Sequence, residues 1–273
     1  MSDVNFDPLF DRFKKNIYQS YKGQIRQAVL EQSLSRYLPE LRSEKPLDCA
    51  DVGGGLGQIT LALAQLGHRV DYFDLSEKMA AHAQAEVVNA GIGQQVKIKQ
   101  GPFQHHFQPG SQLIAQPDLQ PDSQPGLESK YDIIVAQALL EWLADPWQGL
   151  NLLLQGVKPK GVLALMFYNR HSIQLKNLIK GNFYKAESDD FAGDGKSLTP
   201  MHPLNPESVY QHLQNAGFDI RAKVGVRTFS EHLFPHVPLQ ERIPDMIRLE
   251  KQFCEQEPYV SMGRYILVLA ERK

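Results

Sequence analysis

The sequence predicts an α/β fold, in which a mostly parallel, seven-stranded sheet carries helices on both faces. Short apolar runs of strand length alternate along the chain with helical patterns, which is typical of parallel strands joined by right-handed crossovers. A glycine-rich segment at 53–57 follows the first of these runs, and the second run ends in an acidic residue, Asp74. In such folds, ligands bind at the carboxyl ends of the strands.

Each strand is predicted from an apolar run, and each helix from apolar residues at three- and four-residue steps. An amphipathic helix is predicted ahead of the sheet, and the later elements follow in alternation. The predicted strands are 47–52, 70–73, 96–99, 131–136, 162–168, 218–226 and 259–269. The predicted helices are 25–41, 59–66, 77–89, 147–157, 239–253 and one that begins near Pro206.

Two segments interrupt the alternation. Residues 108–130 are rich in Gln, Pro, Ser and Gly, a composition that predicts a long surface loop. Residues 181–205 are also loop-like, but they carry aromatic residues and follow a strong strand, so we expect a lid there. The predicted organisation is a single domain over 1–273, with a helical cap at 1–44, a cofactor-binding core at 45–180, and the lid and substrate-side strands at 181–273.

Composition excludes several classes of protein. A formal net charge of -2 argues against a protein that coats polyanions, so any nucleic-acid contact must come from a local basic patch. Cys49 and Cys254 lack the spacing of a disulfide scaffold or a zinc site, and His105 and His106 lack a third ligand. No signal peptide and no apolar run of about 20 residues is present. We expect a cytoplasmic protein without a metal or a membrane anchor.

The glycine-rich loop predicts close approach of a ligand to the backbone. Glycines lack the Cβ atoms that keep a ligand away, and the following helix start presents unpaired N–H groups. Gln58 breaks the dinucleotide-binding spacing, while Asp51 ahead of the loop favours a ligand with a cationic amino group. Asp74 is placed to accept both hydroxyls of a ribose. The loop glycines are Gly53, Gly54, Gly55 and Gly57.

Together these residues resemble the S-adenosylmethionine site of Rossmann-like class I methyltransferases. The segment YDIIVAQALLEWL at 131–143 and the KPKG step at 158–161 are similar to the fourth strand and the approach to the fifth strand of that fold. The resemblance implies S-adenosylmethionine as cofactor, with Phe103 stacked on the adenine. The implied cofactor residues are Asp51, the four loop glycines, Asp74, Leu75, Met79, Phe103, Gln104 and Gln137.

Further segments are similar to one bacterial family, the tRNA 5-carboxymethoxyuridine methyltransferases (the CmoM family). These segments are NIY at 16–18, KGQIRQ at 22–27, EWLADP at 141–146, MFYN at 166–169, GVR at 225–227, QEPY at 256–259 and GRY at 263–265. The resemblance covers essentially the whole chain. It implies methyl esterification of the carboxylate of 5-carboxymethoxyuridine at the tRNA wobble position, with S-adenosyl-L-homocysteine as the other product. It also implies that Arg26 pairs with the cofactor carboxylate.

A carboxylate nucleophile is ionised at neutral pH and needs no general base, so we predict no catalytic acid or base. A tightly bound arginine would reduce the nucleophilicity of the carboxylate, which makes a hydroxyl or an amide the milder orienting group. Tyr168 and Asn169, at the end of the fifth strand, are the predicted positioning residues. The residues predicted to contact the tRNA anticodon loop are Lys14, Lys15, Lys22, Arg227 and Arg264.

Two other functions remain open at this point. A carboxyl methyltransferase for a small molecule predicts a closed, apolar pocket beneath the lid and no positive patch around Lys15 and Arg26. A non-catalytic binding module predicts that the glycine loop or Asp74 is blocked.

Overall fold

The structure, a computed structural model, describes residues 2–15, 20–107, 130–188, 200–234 and 236–273. Within these ranges, seven strands form one sheet in the order β3-β2-β1-β4-β5-β7-β6. β7 is antiparallel to β5 and β6, and the other neighbouring pairs are parallel. The strands are β1 (Asp48–Val52), β2 (Arg69–Asp74), β3 (Val96–Gln100), β4 (Tyr131–Gln137), β5 (Val157–Tyr168), β6 (Phe218–Val226) and β7 (Tyr265–Arg272).

Helices cover both faces of this sheet. The described α-helices are α1 (Phe10–Phe13), α2 (Tyr21–Tyr37), α3 (Gln58–Gln65), α4 (Glu77–Asn89), α5 (Gln104–Phe107), α6 (Pro146–Gly156), α7 (Arg170–Ile179), α8 (Phe183–Ser188), α9 (Pro206–Asn215), α10 (Ile243–Phe253) and α11 (Tyr259–Met262). Short 3₁₀ turns lie at Asp7–Leu9, Pro39–Arg42, Leu140–Trp142, Phe229–Glu231 and Leu239–Arg242.

Alternating side chains of β5 divide the core into two apolar layers. Val162, Ala164 and Met166 pack on the side that carries α2, α3 and α10. Leu163 and Phe167 pack on the side that carries α6 and α9. Because both faces of β5 are buried from Gly161 onward, its sequence over 162–168 is continuously apolar instead of alternating.

The predicted fold class is confirmed, and two element boundaries are corrected. The predicted strand 259–269 is wrong at its start, because Tyr259–Met262 form α11 and β7 begins at Tyr265. The Met262 N–H donates to the Pro258 carbonyl at 3.0 Å, and a short apolar run cannot by itself distinguish one helical turn from a strand. The first long helix is α2, which begins after the capping residue Ser20 and ends at Tyr37, ahead of Pro39.

Helices α7 and α8 follow β5, and α8 lies within the predicted lid segment. Several predictions lie outside the described residues: the surface loop over 108–129, the lid over 189–199 and the NIY segment at 16–18. Both cysteines are free and buried. Among the described helices, none has the length and apolarity needed to cross a membrane.

Candidate functional site

The carboxyl ends of six strands meet at one edge of the sheet. β6 joins the parallel set because β7 runs antiparallel to both β5 and β6. A cavity of about 430 Å³ opens at this edge, which is the size of a site for a small molecule. Turns that follow the strands line most of the cavity, so their side chains come together there although they are far apart in sequence.

The glycine loop closes one end of this cavity. The N–H groups of Gly53 and Gly54 donate to the Phe73 carbonyl at 2.8 and 3.1 Å, which holds the loop against β2. A Cβ atom on Gly54 would lie 2.6 Å from the Tyr72 ring and 2.9 Å from Asp51 Oδ2, so no larger residue fits there. The loop glycines with positive φ are Gly53 (+71°), Gly55 (+54°) and Gly57 (+81°), a region that favours glycine.

Asp74 lies beside the loop and lines the cavity. Its Oδ2 accepts a hydrogen bond from the Gly55 N–H at 2.9 Å, and its Oδ1 accepts one from the Ser76 N–H at 2.8 Å. Burial raises the pKa of Asp74 to about 6, although these two hydrogen bonds oppose the shift. The carboxylate is therefore ionised at neutral pH and offers its remaining lone pairs to the cavity.

Asp51 lies behind the glycine loop, outside the cavity lining. Its Oδ2 accepts hydrogen bonds from the N–H and hydroxyl of Thr60 at 3.1 and 2.7 Å. Its Oδ1 is buried and has no hydrogen-bond partner among the described residues. Burial raises the pKa of Asp51 to about 6. We call the part of the cavity formed by the glycine loop and Asp74, together with Asp51 behind the loop, the acidic end.

An N-terminal segment, residues 2–13, crosses the acidic end, and we call it the strap. Asp3 accepts hydrogen bonds from the Ala144 N–H at 2.8 Å and from Gln104 Nε2 at 2.7 Å. Asp7 accepts from the Ser76 hydroxyl and from the Lys78 N–H. The strap therefore connects the turns that follow β2, β3 and β4.

The opposite end of the cavity is lined by cations. Lys22 and Arg26 extend from α2, while Arg227 and Arg264 lie next to the facing ends of β6 and β7. Arg227 and Arg264 both pair with Glu231, and Arg264 Nη1 lies 3.0 Å from Glu231 Oε2. Burial, followed by the nearby cations Arg264 and Arg26, lowers the pKa of Arg227 to about 10, so the residue stays charged at neutral pH. We call this region the basic end.

A buried carboxylate on α10 holds the turn that carries Arg227. Glu250 accepts hydrogen bonds from the N–H and hydroxyl of Thr228 at 2.8 and 3.0 Å, and from the Ser230 N–H at 3.0 Å. Arg227 itself has a φ of +58°, which is uncommon for a residue with a side chain. The position of the Arg227 guanidinium thus depends on the packing of α10 against the sheet.

Tyr168 and Asn169 have different environments. Tyr168 lines the cavity, and the Arg264 guanidinium lies 4.8 Å from the centre of its ring. Asn169 does not line the cavity. Its Nδ2 donates to the Ser261 and Gly263 carbonyls at 2.9 Å, and its Oδ1 accepts from the His171 N–H at 2.9 Å. Asn169 therefore caps α7 and secures the turn before β7, so of the two predicted positioning residues only Tyr168 lines the cavity.

Most of the other predicted site residues reach the cavity. Asp51 and Gly57 instead support the loop from behind. Lys14 lies against His82 on α4, with Nζ 3.2 Å from Nε2, and neither Lys14 nor the exposed Lys15 lines the cavity. The predicted residues that line it are Lys22, Arg26, Gly53, Gly54, Gly55, Asp74, Leu75, Met79, Phe103, Gln104, Gln137, Tyr168, Arg227 and Arg264.

Comparison with known proteins adds direct evidence. Residues 21–223 match the model of a family described as a methyltransferase domain. The tRNA 5-carboxymethoxyuridine methyltransferase of Escherichia coli (strain K12) is 37% identical over 272 residues, which cover 100% of this chain and 97% of the relative. The protein of the same name from Escherichia coli O157:H7 shows the same identity and coverage.

The chain belongs to the tRNA 5-carboxymethoxyuridine methyltransferase family. Solved structures share the fold of this family member at lower identity. Magnesium protoporphyrin IX methyltransferase from Synechocystis PCC 6803, with bound SAH, has a TM-score of 0.61 at 17% identity and covers 98% of this chain and 96% of its own. An S-adenosylmethionine dependent methyltransferase from Mesorhizobium loti has a TM-score of 0.51 at 15% identity, covering 89% and 100%. The fold is that of S-adenosylmethionine-dependent methyltransferases.

Three features of this family member were not predicted from its sequence. Glu231 neutralises part of the basic end, and the strap carries Asp3 and Asp7 over the acidic end. Glu141 is fully buried, and neither of its carboxylate oxygens has a hydrogen-bond partner among the described residues. Burial raises its pKa to about 8, despite the nearby cation Arg26. A lone acidic residue beside an apolar run gives no sequence signal of this kind, because the burial comes from distant elements.

Proposed function

We propose that this protein transfers a methyl group from S-adenosylmethionine to the carboxylate of 5-carboxymethoxyuridine at the wobble position of tRNA. The observation that carries the proposal is the full-length identity of 37% to a protein of that name. The polarity of the cavity supports it, since a cationic region next to a cofactor-sized site suits a substrate with a reactive carboxylate.

The residues of the acidic end fit S-adenosylmethionine. The backbone of Gly53, Gly54 and Gly55 lines the cavity, and the cofactor would lie against it. Glycine at position 54 is needed for the packing of the loop itself, because a Cβ atom there would clash with the Tyr72 ring and Asp51. Asp74 would accept hydrogen bonds from the ribose hydroxyls, and Phe103 would pack on the adenine. The unsatisfied Oδ1 of Asp51 would favour the cationic amino group. Arg26 would pair with the carboxylate of the cofactor.

When bound, S-adenosylmethionine would supply an electrophilic methyl group on its sulfonium sulfur, with S-adenosylhomocysteine as the leaving group. The substrate carboxylate attacks as the free anion, so no side chain has to remove a proton. What the chain must provide is alignment of the carboxylate with the methyl group and exclusion of water. These tasks fall to the basic end and to Tyr168.

Glu231 moderates the basic end. A carboxylate held by two unpaired arginines would be well oriented but weakly nucleophilic. Because Arg227 and Arg264 both pair with Glu231, each guanidinium has less charge to offer the substrate. Burial also raises the pKa of Tyr168, which keeps its hydroxyl protonated. This hydroxyl orients the reacting oxygen as a neutral donor.

The elements outside the cofactor-binding core would determine which substrate binds. We assign cofactor binding to residues 45–180, contacts with both substrate and cofactor to the cap at 1–44, and the substrate side to the segment 181–273. The anticodon loop of tRNA would meet Lys22, Arg227 and Arg264 at the basic end. A tRNA-modifying role places the protein in the cytoplasm.

The test is incubation of the protein with labelled S-adenosylmethionine and tRNA that carries 5-carboxymethoxyuridine. We expect label in the wobble nucleoside as a base-labile ester, and none in tRNA with unmodified uridine at that position. Transfer to small carboxylic acids without transfer to tRNA would support a small-molecule methyltransferase instead. An absence of transfer to either, with S-adenosylhomocysteine still bound, would support a binding module.

A further inference from the structure

A second tyrosine, Tyr265, stands directly beside Tyr168 at the basic end. The two residues are paired across β5 and β7, and directly opposed residues of an antiparallel pair place their side chains on the same face of a sheet. Their ring centres lie 5.4 Å apart in an edge-to-face arrangement, and both side chains line the cavity. The antiparallel β7 therefore brings a second phenol to the place where Tyr168 would meet the substrate.

Each of the two rings is accompanied by an arginine. The Arg264 guanidinium lies 4.8 Å from the centre of the Tyr168 ring. The Arg227 guanidinium lies 5.9 Å from the centre of the Tyr265 ring. Both distances are within the range of a cation–π contact. Because the two arginines are also paired with Glu231, they hold the rings from a fixed position.

The hydroxyl groups of Tyr168 and Tyr265 are available to a ligand. Neither hydroxyl forms a hydrogen bond with any residue that the structure describes, and neither oxygen is among the buried polar atoms that lack a partner. The two residues are only 4% and 8% exposed, so the part of each that stays accessible faces the cavity that it lines. A phenol hydroxyl donates one hydrogen bond, and the pair therefore offers two neutral donors.

The two oxygens of the proposed substrate carboxylate have different tasks. One oxygen attacks the methyl carbon and becomes the ester oxygen, the electron pair of the broken carbon–sulfur bond stays on sulfur, and the other oxygen becomes the ester carbonyl. The carboxylate loses its negative charge in this step. A cation bound to it would therefore stabilise the substrate more than the transition state and slow the reaction. Neutral donors hold the same anion at a smaller cost in reactivity.

We propose that Tyr265 is a second carboxylate-binding residue, whose hydroxyl donates to the non-reacting oxygen while Tyr168 orients the reacting one. The inference rests on the proposed function and deepens it, because it assigns recognition of the carboxylate to a pair of tyrosines. Arg227 and Arg264 then act on the carboxylate mainly through the two rings that they hold in place.

The experiment compares two anticodon stem-loops, one with 5-carboxymethoxyuridine and one with 5-methoxyuridine, which lacks the carboxylate. Fluorescence anisotropy gives the Kd of each for the protein saturated with S-adenosylhomocysteine. Tyr265→Phe keeps the ring and its contacts and removes only the hydroxyl. We expect Kd for the carboxylated stem-loop to rise about tenfold, because a hydrogen bond to a charged group is lost. Kd for the methoxy stem-loop should stay within about twofold.

The rate of methylation gives a second measurement. Because the hydrogen bond to the carboxylate weakens as the charge disappears, its loss should raise KM for the modified tRNA about tenfold and change kcat by less than about threefold. The matched control is Tyr184→Phe, since Tyr184 is an exposed tyrosine on α8 that does not line the cavity. We expect this variant to match the wild type with both stem-loops.

The outcomes separate the inference from the proposed function. If the wild type methylates the modified tRNA but Tyr265→Phe binds both stem-loops as the wild type does, or weakens both equally, Tyr265 does not bind the carboxylate and the proposed function stands. If the wild type does not methylate the modified tRNA, both are wrong. Thermal denaturation of Tyr265→Phe checks that a change in Kd does not come from unfolding.

Discussion

The two ends of the cavity achieve their charge by different means. At the acidic end, Asp51 and Asp74 are held by backbone N–H groups and a threonine hydroxyl, and no ion pair within 4.0 Å involves either carboxylate among the described residues. At the basic end, Arg227 and Arg264 are held through Glu231. The carboxylates of the acidic end are held in place by the backbone conformation, whereas the arginines of the basic end are held by an opposite charge. We therefore expect a bound ligand to affect the two ends differently.

Glu231→Gln should have the largest effect. The side chain of Glu231 is 5% exposed, and its loss leaves two largely buried arginines without a counterion. We expect the free energy of unfolding to fall by about 3 kcal/mol, as measured by urea denaturation. Asp51→Asn, at the other end, keeps an acceptor for Thr60 and should cost about 1 kcal/mol.

The exposed residue Glu241, in the Leu239–Arg242 turn, provides a control, and Glu241→Gln should change stability by less than about 0.5 kcal/mol. Equal losses for Glu231→Gln and Asp51→Asn would contradict the distinction between the two ends.

Asp74→Ala tests the acidic end directly. If Asp74 accepts both ribose hydroxyls as proposed, its loss should weaken binding of S-adenosylhomocysteine about 100-fold, as measured by calorimetry. Arg264→Met, at the basic end, should change that Kd by less than about twofold. A similar loss in both variants would mean that Arg264 contacts the cofactor as Arg26 is proposed to do, and an unchanged Kd for Asp74→Ala would remove Asp74 from the cofactor site.

The pH dependence is the smallest expected effect. The pKa values of Asp51 and Asp74 are both about 6 without ligand, and the proposed hydrogen bonds need the ionised forms. Affinity for S-adenosylhomocysteine should therefore fall as pH drops below 6, by about tenfold at pH 5 for each carboxylate that is in contact. Asp74→Asn should show a shallower dependence. A pH-independent Kd between 5 and 7 would contradict the assignment.

Stability without ligand should respond to the same groups with the opposite sign. A raised pKa means that the folded chain holds these protons more tightly than the unfolded chain does. The contribution of Asp51 and Asp74 to the free energy of unfolding should thus rise as pH falls from about 6 towards 4. Melting curves of the wild type and of Asp74→Asn, compared with and without ligand, separate the two effects.

The acidic end could be predicted from the sequence because its residues belong to two successive strands and the turns that follow them. Asp51, the loop glycines and Asp74 are ordered by local backbone rules, and their spacing was informative. The fold class followed from the same alternation. Tyr168 was predicted as a site residue because it ends a strongly apolar strand, and it lines the cavity. The amide of the neighbouring Asn169 is instead occupied by main-chain hydrogen bonds.

The basic end could be predicted from the sequence only in part. Its members come from α2 and the facing ends of β6 and β7, so their meeting depends on the antiparallel placement of β7 between β5 and β6. Arg227 and Arg264 were identified by family resemblance. Glu231, which pairs with both arginines, belongs to no motif in the sequence. Single charged residues become informative only when the tertiary structure shows which of them share one space.

The strap also affects how fast the acidic end can open. Asp3 and Asp7 make hydrogen bonds to the turns after three different strands, so the strap leaves the acidic end only when several of these bonds open together. Such cooperative opening is slower than side-chain motion and falls in the range of local unfolding. The amide hydrogen of Ala144, which is bonded to Asp3 at 2.8 Å, should therefore be protected from exchange with solvent until the strap opens.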